Sequence, residues 1–163
     1  MEKSMKRIVV YYSFEGNTKE AAERIARNLK ADIRRVVPVK DIPMEAPAKF
    51  IIGGFMALTG RKAPIVPIDA DLTSYDEIII GSPVWAGHCV PYINTILKDE
   101  DVRKKVKGLF VLSSGGSADK CIESLKKKLP DLKHVISLSD RVGKGASMNK
   151  KKEDGLCEAI LAE

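Results

Sequence analysis

Aromatic residues are scarce in this chain of 163 residues, at 6%, and there is a single Trp. Cysteine is scarce as well. Cys89, Cys121 and Cys157 form an odd, scattered set without metal-ligand spacing, so reduced thiols of a cytosolic protein are expected. Long apolar runs are absent. None approaches the roughly 20 residues that a membrane span needs. The basic start, Met1-Glu2-Lys3-Ser4-Met5-Lys6-Arg7, runs straight into a strand-like segment with no small-residue cleavage site, so no signal peptide is expected. An acidic excess is missing too: Lys and Arg number 28 against 22 Asp and Glu, a net charge of +6. The positive charge collects in part at Arg103-Lys104-Lys105, Lys126-Lys127-Lys128 and Lys150-Lys151-Lys152. These lie at or near expected helices, where solvated lysine is ordinary. They lack interleaved aromatics, which argues against nucleic-acid binding. The size and the apolar and charged fractions, 44% and 31%, suit one soluble globular domain with a sizeable core.

Strand-like and helix-like segments alternate. Strands are expected at Ile8–Tyr12, Asp32–Val37, Glu77–Gly81, Gly108–Ser113 and His134–Leu138. Ile78-Ile79-Ile80 is a run apolar enough to be covered on both faces. Helices are expected near Thr18–Lys30, Pro91–Leu97, Ser117–Leu129 and Lys151–Leu161. Pro91 suits a first helical turn, and Pro130 stops the helix before it. Alternation of this kind argues for an α/β doubly wound sheet. Residues 41–70 fit less well. That stretch should hold a crossover helix but is Pro-rich at both ends, with Gly53-Gly54 in the middle. It reads either as a packed helix with an irregular return or as a flap or dimer contact through residues 50–62.

The most informative run is Val9-Val10-Tyr11-Tyr12-Ser13-Phe14-Glu15-Gly16-Asn17-Thr18, leading into Lys19–Ile25. A buried strand passes through a short polar loop into a helix. Ala21, Ala22, Ile25, Ala26 and Leu29 share one helical face. Hydroxyls and free N–H groups at a helix start attract an anion, above all a phosphate; a plain strand-loop-helix joint is the other reading. The full pattern resembles the flavodoxin signature, whose slots are filled by Val9, Val10, Tyr11, Ser13, Gly16, Thr18, Ala22 and Ile25. The resemblance spans about residues 6–162 as one domain. It implies a three-layer, doubly wound sheet of five parallel strands in the order 2-1-3-4-5. It also implies FMN as cofactor, with its phosphate wrapped by Ser13, Phe14, Glu15, Gly16, Asn17 and Thr18. Glu15 would repel the phosphate from inside the loop and is expected to face solvent.

Two further loops join the resemblance. Gly81-Ser82-Pro83-Val84-Trp85-Ala86-Gly87-His88-Cys89-Val90-Pro91 holds the sole Trp. By itself such a Trp could cap the core. Gly-Ser-Pro-Val-Trp is also a form that this loop takes in flavodoxin-like proteins, which implies flavin contact at Ser82, Pro83, Val84, Trp85, Ala86 and Gly87. The third loop is Ser113-Ser114-Gly115-Gly116-Ser117. Its glycines permit close backbone approach, and Ser113, Ser114, Gly115 and Gly116 are the candidates for the pyrimidine edge; a Gly-rich turn capped by Ser117 is the alternative. Flavodoxins often carry an aromatic here and this chain does not, so that flavin face is open to a substrate or nicotinamide, or covered by Phe50 or Phe55.

His88 reads as a surface residue or as a proton holder near the flavin, Cys89 as a small buried residue, and His134 as structural. No nucleophile–base–acid set is visible, and neither a catalytic residue nor a metal ligand is assigned. The function implied is electron transfer, with a redox partner protein or a small-molecule electron acceptor. The alternative is a small FMN-dependent reductase of quinones or similar acceptors, using a reduced pyridine nucleotide. The basic charge departs from the strongly acidic flavodoxins and weakens the inference of docking onto a basic partner face.

Overall fold

The computed structural model describes residues 3–41, 63–114, 118–140 and 148–163. Residues 42–62 lie outside that set, and with them Phe50, Phe55 and the expected crossover helix, flap or dimer contact. Gly115, Gly116 and Ser117 lie outside it as well.

The central strand β1 (Arg7–Tyr11) shows why the fold has three layers. Its side chains alternate between two cores. Ile8 and Val10, followed by Tyr12, enter one core; Val9 and Tyr11 enter the other. A strand covered on both faces carries continuous apolar sequence. The helix α1 (Asn17–Leu29) turns Ala21, Ala22, Ile25, Ala26 and Leu29 onto the second core. It ends where Lys30 takes a left-handed conformation, φ 52°, and the Ala31 N–H reaches back to the Ala26 carbonyl. That closure uses carbonyls left without partners at a helix end.

Strand β2 (Asp32–Arg35) returns parallel to β1. It is shorter than the expected Asp32–Val37. Next, Pro38 forms an antiparallel bridge to Ile65, and a 3-10 turn at Leu72–Ser74 leads into β3 (Glu77–Trp85). The remaining elements are β4 (His88–Cys89), α2 (Pro91–Ile96), α3 (Glu100–Lys105), β5 (Val106–Ser113), α4 (Asp119–Lys128), β6 (His134–Ser139) and α5 (Asn149–Leu161).

The sheet order is β2-β1-β3-β5-β6, all parallel. It is the expected order of the five long strands. Three features correct the expectation. The Gly81–Pro91 stretch is not a loop: β3 continues to Trp85 and folds back as the antiparallel β4. Helix α3, capped by the Asp99 side chain, was not expected. The cap position of α4 is Ala118, with no side-chain capping bond.

Helices α1 and α5 share the second core with β3 and β5. They are joined by Arg24, which donates from Nε and Nη2 to the Glu153 carboxylate at 2.6 and 2.8 Å. Glu153 is 1% exposed. A buried carboxylate persists only when paired in this way. The hydrogen bond to Glu153 raises the Arg24 pKa above its ordinary value.

Candidate functional site

Ser13, Ser82 and Ser113 are distant in sequence and share one edge of the sheet. Strands β1, β3 and β5 are neighbours and parallel, so their carboxyl ends open on the same side. The chain leaves β1 for β2 on one flank and reaches β3 on the other. A doubly wound sheet forms its binding crevice at such a reversal.

Gly16 occupies the cap position of α1 with φ 98°, and no side chain caps the helix. A left-handed backbone favours glycine there. The first helical bond runs from the Glu20 N–H to the Gly16 carbonyl. The N–H groups of Asn17, Thr18 and Lys19 are therefore the orphan donors of the first turn. Ser13 and Thr18 are buried. The Ser13 hydroxyl accepts the Gly16 N–H at 3.1 Å and closes the loop. Glu15 is exposed, on the solvent side as expected. Arg35, which the sequence did not single out, donates from Nη2 to the Ser13 carbonyl at 2.8 Å.

The end of β3 forms the second wall. Ser82 is fully buried. Its hydroxyl donates to the Pro83 carbonyl at 2.8 Å and accepts the Val90 N–H at 3.3 Å. It thus ties the two arms of the hairpin together. Pro83 and Val84 are half-buried, as is Trp85, and Ala86 is exposed. Ala86 and Gly87 both have positive φ, 49° and 79°. That is the backbone of a two-residue primed turn, and it sets Trp85 opposite His88.

Trp85 stands nearly perpendicular to three rings. Centroid separations are 5.7 Å to Tyr12, 6.2 Å to Phe14 and 6.5 Å to Tyr92, at 90°, 89° and 83°. No described ring lies parallel on the indole. Tyr12 donates its hydroxyl to Asp41 at 2.8 Å. Burial, and then that carboxylate, push the Tyr12 phenol far above its ordinary value. Tyr92 is pushed up to about 12, again mainly by burial. Both phenols are neutral under ordinary conditions. Cys89 is buried beside this wall, and burial pushes its thiol up to about 12.

At the end of β5, Ser113 is half-buried and Ser114 exposed. The Ser113 carbonyl accepts the Asp140 N–H at 3.1 Å. Of the third loop's candidates, these two serines reach the shared edge, and Gly115 and Gly116 are outside the described residues. His134 opens β6 on the opposite edge, 3.2 Å from Glu163. Among the described residues, no group of His, Cys, Asp and Glu is arranged to hold a metal ion.

A family model described as Flavodoxin matches residues 6–148. The chain belongs to the flavodoxin family. Solved flavodoxin-like structures superpose on most of it. A flavoprotein from Lactobacillus acidophilus NCFM, solved in complex with FMN, is 26% identical, with a TM-score of 0.66. It matches over 91% of this chain and 98% of its own. A flavodoxin, WrbA-like protein from Agrobacterium tumefaciens is 17% identical with a TM-score of 0.60, over 98% and 99% of the two chains. The two-electron reduced flavodoxin of Megasphaera elsdenii is 18% identical with a TM-score of 0.56, over 94% and 99%. The last two establish likeness of fold alone. No curated protein matches the chain.

Proposed function

We propose that this flavodoxin-family protein binds FMN and works as a cytosolic electron carrier between redox partners. One observation carries the reading. The uncapped start of α1, closed by buried Ser13 and Gly16, stands on the same sheet edge as Trp85. The donor set fits a phosphate: orphan N–H groups of a 13-residue helix beside the buried hydroxyl-bearing residues Ser13 and Thr18. The indole, with no ring of the described residues parallel to it, suits a flat heteroaromatic. Residues 13–18 would hold the phosphate, Ser82–Gly87 the ring system, and Ser113–Gly116 its pyrimidine edge. The neighbour solved with FMN supports the choice of ligand. FMN, when bound, accepts and releases one or two electrons. The chain supplies binding, orientation and electrostatics.

A second reading is an FMN-dependent reductase that takes electrons from a reduced pyridine nucleotide and passes them to quinones or similar acceptors. The absence of an aromatic from residues 113–117 and the net charge of +6 favour it. The compact single domain favours the carrier. One measurement tests the shared phosphate site and a second separates the two readings. Apoprotein is titrated with FMN and with riboflavin. A charge-assisted hydrogen bond is worth roughly 1.5–3 kcal/mol, so Ser13→Ala or Thr18→Ala should weaken FMN about 10- to 100-fold and riboflavin far less. Equal losses would refute the phosphate site. The loaded protein is then mixed anaerobically with NADH or NADPH. Rapid bleaching of the flavin band without an added reductase supports the enzyme, and a stable band supports the carrier.

A further inference from the structure

Cations near the start of α1 are mostly engaged by carboxylates. Lys19 pairs with Glu23 one turn along the helix. Arg24 is held by Glu153 and lies near Glu20. On strand β2, Arg34 bonds the Asp69 and Ile33 carbonyls. Arg35, like Arg34, bonds a backbone carbonyl rather than a carboxylate, but its partner lies in the loop before α1. Its Nη2 donates to the Ser13 carbonyl, and among the described residues no ion pair holds it. One bond to a carbonyl uses one of the five N–H donors of a guanidinium.

The fold aims that charge at one place. Arg35 is the last residue of β2 and lies in register with Tyr11, the last residue of β1. The chain between Tyr11 and α1 is the Tyr12–Gly16 loop. The guanidinium therefore stands against the loop that closes the helix start. Its charge is felt at the phenols of both Tyr11 and Tyr12. The carboxylates facing the same place are Glu15 in the loop, which is exposed, Glu23, whose charge also reaches Tyr11, and Asp41, which accepts the Tyr12 hydroxyl.

We propose that Arg35 is the cation of the phosphate end of the site, neutralising the dianion of the bound cofactor and making the chain prefer the phosphorylated flavin. The proposal rests on the FMN reading above. Backbone N–H groups and serine hydroxyls recognise a phosphate by hydrogen bonding. A guanidinium adds charge in a planar fork that suits phosphate oxygens. The bond to Ser13 fixes where the fork sits. Arg35 thus joins the edge strand to the loop and sets charge preference there.

The test measures affinities of apoprotein for FMN and riboflavin, by flavin fluorescence, at low and high salt. The variants are Arg35→Gln and Arg35→Lys, each checked by thermal melting. Arg35→Gln should weaken FMN about tenfold or more, the effect of one lost charge-assisted bond, and riboflavin less than about threefold. High salt should erode the parent's preference for FMN and change that of Arg35→Gln much less. Arg35→Lys keeps the charge and should keep most of the preference. Equal weakening of both ligands by Arg35→Gln would make Arg35 a loop prop and overturn the proposal, as would no weakening. If Arg35→Gln does not fold, a loss of preference in folded Arg35→Lys overturns it equally. A parent that binds FMN no better than riboflavin, or binds neither, would refute the phosphate reading itself. A parent that prefers FMN, with an Arg35→Gln that prefers it equally, refutes only the role of Arg35.

Discussion

Replacing Trp85 by Ala removes two different things, and they can be measured apart. In the apoprotein the indole braces three rings at 5.7, 6.2 and 6.5 Å. Each aromatic pair is worth roughly 0.5–1.5 kcal/mol beyond area burial. Three such pairs give an upper bound of about 4.5 kcal/mol. The indole is only half-buried and Phe14 is itself partly exposed, so relaxation reduces the loss to about 2 kcal/mol. For a chain of this length that lowers the melting temperature by about 4–8 °C. With flavin present a second loss appears. Stacking of a base on an aromatic residue is worth roughly 1–3 kcal/mol, or about 5- to 150-fold in affinity. That loss should be the same for FMN and riboflavin, because the contact is to the ring system. Thermal melts of apoprotein read the first loss. Flavin titrations of parent, Trp85→Ala and Trp85→Phe read the second, and Phe should restore part of it. The sole Trp also reports directly: bound flavin should quench its emission. Unquenched emission in the loaded parent, with unchanged FMN affinity in Trp85→Ala, would remove β3 from the site.

Gly81→Ala should be among the most damaging single-methyl changes, because a Cβ there would overlap the Phe110 ring. Overpacking costs roughly 1–3 kcal/mol, and Phe110→Leu in the same chain should recover part of the lost melting temperature. Lys30→Gly should raise stability by up to about 1 kcal/mol, because φ 52° at the end of α1 strains a residue with a Cβ; an unchanged denaturation midpoint would contradict this. Alkali should destabilise the fold from pH 9 upward. Burial raises Cys89 and Cys121 from 9 to about 12, Cys157 from 9 to about 11, and Tyr92 from 10 to about 12. The unfolded chain loses these protons first, so stability falls as pH rises from about 9 to about 12. A melting temperature flat across that window would refute the assignment, and thiol reagents at pH 8 should label only denatured protein.

Strands β1, β3 and β5 were legible because each is covered on both faces and carries an apolar run, Ile8–Tyr11, Ile78–Ile80 and Leu109–Leu112. The far half of β3 was not, and the reason lies in its flanks. Tyr11 is the last residue of β1 to pair with it, opposite Gly81. Beyond Gly81 only β5 pairs on the sheet, through Ser82 and Pro83. A strand with one flank vacated tolerates proline and needs no unbroken apolar run. Its composition is then that of a loop. Helix α3 was missed for another reason. It buries only Val102, so it shows no apolar periodicity. Its signal is in the termini: Asp99 as cap, Glu100 and Asp101 in the first turn, Arg103 to Lys105 in the last.

Motif residues of the candidate site could be found one loop at a time, and the place of Arg35 beside them could not. Ser13, Gly16 and Thr18 follow one another within a single strand-loop-helix, so local pattern suffices. Arg35 reaches Ser13 only because β2 lies beside β1 in matching register, and that pairing becomes visible only with the sheet order. One local rule is broken in the β3–β4 turn of the candidate site. Ala86 holds φ 49° in a turn that favours Asn, Asp or Gly. The strain is about 1–2 kcal/mol, and the pairings of Val84 with Cys89 and Trp85 with His88 hold it in place, with Ser82 bonding the two arms. A turn built for stability alone would relieve it with Gly. An exposed methyl, kept strained beside the sole Trp, is where a binding wall and a folding rule would conflict.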